Sequence, residues 1–364
     1  MQLKYHMLDY IYESGTALEK TFHKNEDQLF QTARLMSDKG IEKLILTGLG
    51  SSYTAALMAH PLIQSHSPIP SLVVPSTDLD FYLENFIGAN TAVITISRSG
   101  ERGWAVDGSK KCKDKGAMTI AVTGVENSLL AKNASIQWIT QEGPEASFPK
   151  TKSVIACSGL MMLLGLALSE ENDELVQEKI KNLHKMPQMI NNTIKELDSQ
   201  VREEIELINS HSVLVICGTG PNYGTALEGA IKLQETTGKI TIGDNTGNFF
   251  HGPLTPLDSN WLIITLVHPG NIELNKQFID LTEEMGAHTL CIADGQSARE
   301  LSVANSLEFQ SSIGEDMSPL IYLPGVQLIN YHLAIEMGMN PDKPAVSKAI
   351  LNAILPPGRS EPDF

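Results

Sequence analysis

The chain has 364 residues, enough for two domains of ordinary size that each bury their own core. A formal net charge of −16, with no basic run longer than Lys110-Lys111-Cys112-Lys113, sets aside a nucleic-acid backbone as partner. It does not exclude a small anion held in a local pocket by backbone N–H groups and hydroxyls. The 42% hydrophobic and 19% charged residues, without a low-complexity tract, place the chain among globular proteins.

Cys112, Cys157, Cys217 and Cys291 are scattered, and buried free thiols are expected rather than zinc or disulfides. No His/Cys/carboxylate ligand cluster is evident, so no metal and no cofactor are expected. The opening Met1–His6 is followed by acidic and polar residues instead of a signal sequence. The longest strongly apolar window, Ser158–Leu168, is too short to span a bilayer. A cytoplasmic, soluble protein without membrane contact is the expectation.

Residues 1–40 read as helical, with Leu18, Phe22, Leu29, Ala33 and Leu35 near helical spacing and Lys39-Gly40 as a stop. Lys43–Thr47 is a strand, Gly48–Ser52 a turn, and Tyr53–Met58 the start of a helix. Leu72–Val74, Thr91–Ile96 and Met118–Val122 give further strands, with Ser97-Arg98-Ser99-Gly100 breaking the third. Residues 170–210 are charged with spaced apolar residues, which predicts a pair of connecting helices broken at Pro187. Val213–Ile216 is a strand, and Cys217–Asn222 turns it into a helix through Glu235. After Leu323-Pro324-Gly325 an apolar helix, Val326–Met337, follows. The tail from Asn340 is either disordered or an arm folded onto the body.

The second half repeats the first at a displacement of 170 residues: Gly48, Gly50, Tyr53, Ala56 and Leu57 match Gly218, Gly220, Tyr223, Ala226 and Leu227. Thr95, Gly100, Thr119, Glu145 and Pro149 match Thr265, Gly270, Thr289, Glu315 and Pro319. One fixed offset over this length predicts two tandem α/β domains, each a mostly parallel sheet flanked by helices. The boundaries read as helices over 1–40, a first domain over 41–168, connecting helices over 169–210, a second domain over 211–338 and a tail over 339–364.

Chemistry is sought where the copies differ. The first carries Ser51-Ser52 after its first strand and Ser97-Arg98-Ser99-Gly100-Glu101-Arg102 after its third, the hydroxyls and close backbone that a phosphate needs. Plain helix N-caps are the competing use of such serines. The second copy has Pro221-Asn222 and Val267-His268-Pro269 there, and alone brings Glu228, Lys232, Glu235 and His251. At about 100° per residue, Glu228, Lys232 and Glu235 share a roughly 60° arc of one helix. The competing reading is a solvated charged face. A glutamate near a histidine is the minimal kit for moving a proton beside a carbonyl; a structural cap is the alternative for a His before Gly-Pro.

Gly50-Ser51-Ser52, Ser97–Glu101, Gly143-Pro144-Glu145 with Thr151-Lys152, Ala226–Leu233 and His251-Gly252-Pro253 together resemble the sugar isomerase (SIS) domain in tandem form, over about residues 41–350. The likeness is to the isomerase half of glucosamine-6-phosphate synthase and to stand-alone phosphosugar isomerases, deaminases and deglycases. The resemblance implies that Ser52, Ser97 and Ser99 bind the phosphate of a hexose 6-phosphate, with Gly50 and Ser51 shaping the loop. It implies proton transfer between C1 and C2 by Glu235, with Lys232 beside the substrate. It gives His251 a part in ring opening, in its own or a neighbouring subunit's site of a homodimer. Lys348 resembles a lysine that reaches the sugar carbonyl, in a context one residue shorter than the synthase pattern.

Arg98 and Arg102 stand where the synthases have glutamine and threonine, and Lys150 takes a position usually given to serine. This added positive charge points to phosphate binding by Arg98 and Arg102 and to a substrate with a second anionic group. Because the chain starts at the sugar domain, glutamine hydrolysis is not expected. The implied activity is that of an isomerase, deaminase or deglycase of a 6-phosphorylated amino sugar or sugar–amine adduct. The rival is a phosphosugar-binding regulator without turnover.

Overall fold

A computed structural model describes residues 5–101, 103–169 and 173–345. The chain opens with helices α1 (His6–Tyr12) and α2 (Ser14–Asp38). There follow β1 (Lys43–Gly48), α3 (Ser51–His66), β2 (Ser71–Pro75), β3 (Thr91–Ile96), α4 (Trp104–Asp114), β4 (Met118–Thr123), α5 (Leu129–Asn133), β5 (Ile136–Ile139) and α6 (Lys152–Ala167). The helices α7 (Glu174–Glu203) and α8 (Ile205–Ser210) lead to β6 (Val213–Gly218), α9 (Asn222–Thr237), β7 (Ile240–Asn245) and α10 (Thr246–Phe249). The last elements are β8 (Trp261–Val267), α11 (Ile272–Glu284), β9 (His288–Asp294), α12 (Gly295–Leu301), β10 (Ser306–Phe309) and α13 (Pro319–Glu336).

Two five-stranded, all-parallel sheets result, with orders β2-β1-β3-β4-β5 and β10-β9-β8-β6-β7. Read from the other edge, the second order is the first with each strand replaced by its counterpart. The central strands β3 and β4 are buried along their whole length, as expected of strands covered by helices on both faces. Each sheet reverses its direction of winding once, between β1 and β3 and between β6 and β8. Loops leaving the carboxyl ends of those two neighbouring strands therefore part to opposite faces, the place where open α/β sheets hold ligands.

The residues divide into two compact units. One holds Ser14–Glu145 and Lys152–Pro187 with the first sheet; the other holds the residues through Glu13, the segment Ala146–Thr151 and those from Gln188 on, with the second sheet. The six residues Ala146–Thr151 thus belong with the second sheet although they interrupt the first sheet's part of the sequence.

Pro187 does not break the connection as expected: α7 runs through it as one 30-residue helix. An interior proline costs about 3 kcal/mol. Leu183, Met186, Ile190, Ile194, Leu197 and Val201, at helical spacing, are all fully buried, and each such side chain returns about 1.5–3 kcal/mol. Similarly, α13 starts at Pro319, ahead of the expected Val326, and carries Pro324 inside it. The short edge strands β5 and β10 were not expected, since four residues give too little alternation to read. All four cysteines are buried and free. Among the described residues no helix is long and apolar enough to cross a membrane.

Candidate active site

The first-copy unit places the serine loops side by side. The loop after β1 and the loop after β3 leave adjacent strand ends, because β1 and β3 are paired in parallel. Gly50, at φ +53°, is the N-cap of α3, and Ser51 and Ser52 form its first turn, so neither serine occupies the N-cap position. Both are half-buried, as are Ser97, Arg98 and Ser99.

The second loop is fastened through its backbone. Ser97 N–H donates to Val122 O at 2.9 Å, and Arg98 O accepts from Gly124 N–H and the Thr123 hydroxyl, each at 3.0 Å. Ser97 Oγ accepts from Gly100 N–H at 3.3 Å. Gly100 has φ +60°, and a Cβ there would lie 2.4 Å from Ser128 Oγ, so only glycine lets the turn close.

Arg98 does not stand free beside these hydroxyls. Its Nε lies 3.5 Å from Glu142 Oε1 and 3.7 Å from Glu145 Oε2, two carboxylates whose side chains are 1% and 0% exposed. Glu145 also accepts from Ser153 Oγ, in the first turn of α6, at 2.6 Å. Burial pushes the Glu142 carboxyl above the usual carboxylate range, with the Thr140 hydroxyl and Arg98 acting against it and Glu145 adding to it. One cation thus serves two carboxylates, and Glu142 was not legible as a partner 44 positions away. Arg102 and Lys348 lie outside the described residues.

The second-copy unit holds Glu228, Lys232, Glu235 and His251. Ala226, Ala230 and Leu233 bury one face of α9, and Gly238 in the left-handed conformation ends it. The opposite stripe is buried as well: Glu228 is 0% and Lys232 1% exposed, which rules out a solvated charged face. Lys232 Nζ donates to Glu235 Oε2 at 2.5 Å and stands 3.7 Å from Glu228 Oε1. Glu235 keeps 26% of its side chain exposed and is the one carboxylate of the three-charge group that solvent reaches. Burial raises its pKa above the ordinary value. Lys232 opposes this most strongly, Glu228 adds to it, and Lys150 also opposes it.

Lys150 acts on Glu235 from the Ala146–Thr151 segment, which hydrogen bonds hold in this unit. Gln327 of α13 donates to Thr151 O at 3.3 Å and Phe148 N–H donates to Asp342 O at 2.8 Å, while Lys150 Nζ donates to Ser147 O within the segment. Ala345 N–H in turn donates to Glu235 O at 2.6 Å, so part of the chain after α13 is an arm docked on the end of α9. Ala345 precedes Lys348 by three residues. His251 is exposed, in the turn after α10, with its N–H on Asn248 O at 2.9 Å.

The same unit has a cleft of about 740 Å³ at the carboxyl ends of β6 and β8, lined among others by Thr219, Gly220, Gly270, Asn271 and Glu315. One of its lining side chains is a carboxylate held by the chain itself. Glu315 Oε1 accepts from Asn271 Nδ2 at 2.9 Å, and Oε2 lies 2.9 Å from where a Cβ on Gly270 would be.

The SIS-domain family model matches residues 37–167 and 206–337, well over half of the chain. The chain belongs to the SIS-domain family. It is 27% identical over 338 residues to a glutamine–fructose-6-phosphate aminotransferase (isomerizing) of Pyrococcus horikoshii, covering 93% of this chain and 56% of that protein. This SIS chain thus spans about half the length of the curated relative. The C-terminal domain of the glucosamine-fructose-6-phosphate aminotransferase of Francisella tularensis superposes with a TM-score of 0.84 at 22% identity, over 94% of this chain and 99% of that one. A glucosamine-6-phosphate deaminase of Thermotoga maritima gives 0.74 at 22%, over 93% and 97%. At these identities the two structures establish a shared fold.

Proposed function

We propose that this SIS protein is a sugar-phosphate isomerase-type enzyme that acts on a 6-phosphorylated amino sugar or sugar–amine adduct and releases ammonia or an amine. The observation that carries the reading is the buried Glu228–Lys232–Glu235 group, with one partly open carboxylate whose pKa burial raises above the ordinary carboxylate value. A surface charge stripe needs no such burial, whereas a general base working near neutral pH gains from it. The curated relative and the solved deaminase act on sugar phosphates by name, which supports the substrate class.

In this reading Ser52, Ser97 and Ser99 hold the 6-phosphate, with Gly50 and Ser51 shaping the first loop. His251 assists ring opening, in its own or a partner subunit's site of a homodimer. For a 2-amino aldose, Glu235 takes the proton from C2 and the electron pair forms the C1–C2 double bond of an enolamine. Return of the proton at C1 leaves a C2 imine, which water hydrolyses to the ketose and ammonia. For a 1-amino ketose the proton moves from C1 to C2, and hydrolysis of the C1 imine frees the amine. Lys232 and Lys348 supply positive charge beside the oxygen that becomes electron-rich.

The test is release of ammonia or amine from a panel of 6-phosphorylated aminosugars and sugar–amine adducts. Release by the unchanged protein that Glu235→Gln abolishes is expected. Tight binding of the panel with no release, unchanged in Glu235→Gln, would make the protein a phosphosugar-binding regulator.

A further inference from the structure

Arginine at position 98 invites the idea that its guanidinium meets the substrate's anion. The geometry assigns it another task. We infer that Glu142, together with Glu145, is a positioning residue of the anion site: the two buried carboxylates hold the Arg98 side chain inward, and Arg98 thereby fixes the Ser97–Gly100 turn from behind.

Three observations carry this. First, Arg98 Nε lies 3.5 Å from Glu142 Oε1 and 3.7 Å from Glu145 Oε2, ion-pair distances, and its Nη2 donates to Gly143 O at 3.4 Å, all within the segment that follows β5. Two carboxylates with 1% and 0% exposure gain far more from a cation than exposed ones do, because their alternative is an unpaired buried charge. Second, Glu145 is itself anchored and Glu142 is closely packed. Glu145 takes the Ser153 hydroxyl at 2.6 Å, and Glu142 packs on Gly124, where a Cβ would lie 2.2 Å from Oε1. Third, the Arg98 backbone is held from the other side, its carbonyl accepting from Gly124 N–H and Thr123 Oγ1 at 3.0 Å. Residue 98 is therefore gripped by side chain and backbone, and Ser97 and Ser99 flank it. Hydroxyls fixed before the ligand arrives do not spend binding free energy on ordering.

The inference rests on the reading that the Ser97 loop holds phosphate, and the experiment separates the two. Inorganic phosphate is titrated by calorimetry into the full chain and its Ser97→Ala, Arg98→Met, Glu142→Gln and Arg98→Met/Glu142→Gln variants, with thermal unfolding recorded for each. Arg98→Met and Glu142→Gln should each weaken phosphate by about tenfold, roughly 1.4 kcal/mol. The double variant should lose no more than the worse single one, because the pair acts as a unit. With a turned-over sugar phosphate, KM should rise and kcat should hold.

Tighter phosphate binding in Glu142→Gln alongside weaker binding in Arg98→Met would overturn the inference, showing Arg98 to be a direct ligand that Glu142 restrains. Unchanged phosphate affinity with only a lowered Tm would overturn it too, leaving a purely structural cluster. If Ser97→Ala weakens phosphate while Glu142→Gln and Arg98→Met do not, the inference fails and the phosphate reading stands. No phosphate binding by the unchanged chain removes both. Should Glu142→Gln not fold, Glu145→Gln stands in for it: weaker phosphate binding supports the inference, and unchanged or tighter binding refutes it.

Discussion

Positions 145 and 315 are the same glutamate in the two copies, and they do opposite things. In the first copy Glu145 turns away to Arg98 and the Ser153 hydroxyl, and Ser97 Oγ receives the Gly100 N–H. In the second, Glu315 lies against Gly270 and takes Asn271 Nδ2, while His268 Nδ1 receives the Gly270 N–H at 3.1 Å. Arg98 Nε lies 3.7 Å from the first glutamate; its counterpart His268 instead engages Ile313 O through Nε2 at 3.0 Å. The two copies thus direct the same glutamate to different partners, with an arginine beside it in one and a histidine bonded elsewhere in the other. The second copy carries the buried charge group on α9 that the first lacks.

The comparison can be broken most forcefully at Glu235. Replacing it by glutamine should lower turnover on the order of 10² to 10⁴-fold, the usual worth of a general base, while phosphate affinity stays put; a matching loss of phosphate affinity would mean the α9 group also grips the anion. Next comes the serine loop. Ser52→Ala with Ser97→Ala should weaken a phosphorylated ligand by about 3 kcal/mol, two hydrogen bonds to a charged group at about 1.5 kcal/mol each, read as KM with kcat nearly kept. A fall in kcat alone would place these hydroxyls at the reacting carbons.

A subtler test uses pH. The base must be ionised, so activity should fall on the acid side with a midpoint above the ordinary glutamate value near 4.3. Lys150→Met removes a positive charge that favours the ionised Glu235, so the midpoint should move to higher pH; Glu228→Gln removes a negative charge and should move it lower. Shifts in the same direction in pH–rate profiles of both variants would refute this electrostatic arrangement. The smallest effect is expected at Glu315 beside Gly270: Glu315→Ala should add a second, weak phosphate site to a calorimetric titration, and no added binding would show that the second copy does not share the anion-binding capacity proposed for the first.

Much of this was legible in the chain itself. The fixed offset and the strand–glycine–helix passages gave both sheets, because apolar β-branched runs and turn residues are local signals. The stripe Glu228, Lys232 and Glu235 was visible from helical spacing, but its burial was not, since that depends on α13 packing over α9. Arg98 could be seen as basic and Glu142 as acidic, yet nothing local pairs residues 44 apart, and an arginine beside serines reads as an anion ligand. Lys150 likewise needed the structure, because six residues between two stretches of the first unit join the other. Pro187 and Pro324 misled for the opposite reason: proline's local signal is strong, and buried side chains on both sides of it outweigh it.

The central proposal, that Glu235 shifts hydrogen on a sugar phosphate, is tested most directly by proton NMR of glucosamine 6-phosphate and fructose 6-phosphate in D2O with the full chain. The account predicts deuterium incorporation at C1 or C2 with the unchanged protein, none above background with Glu235→Gln, and incorporation with a raised substrate requirement in Ser97→Ala. Incorporation at the unchanged rate in Glu235→Gln would contradict it.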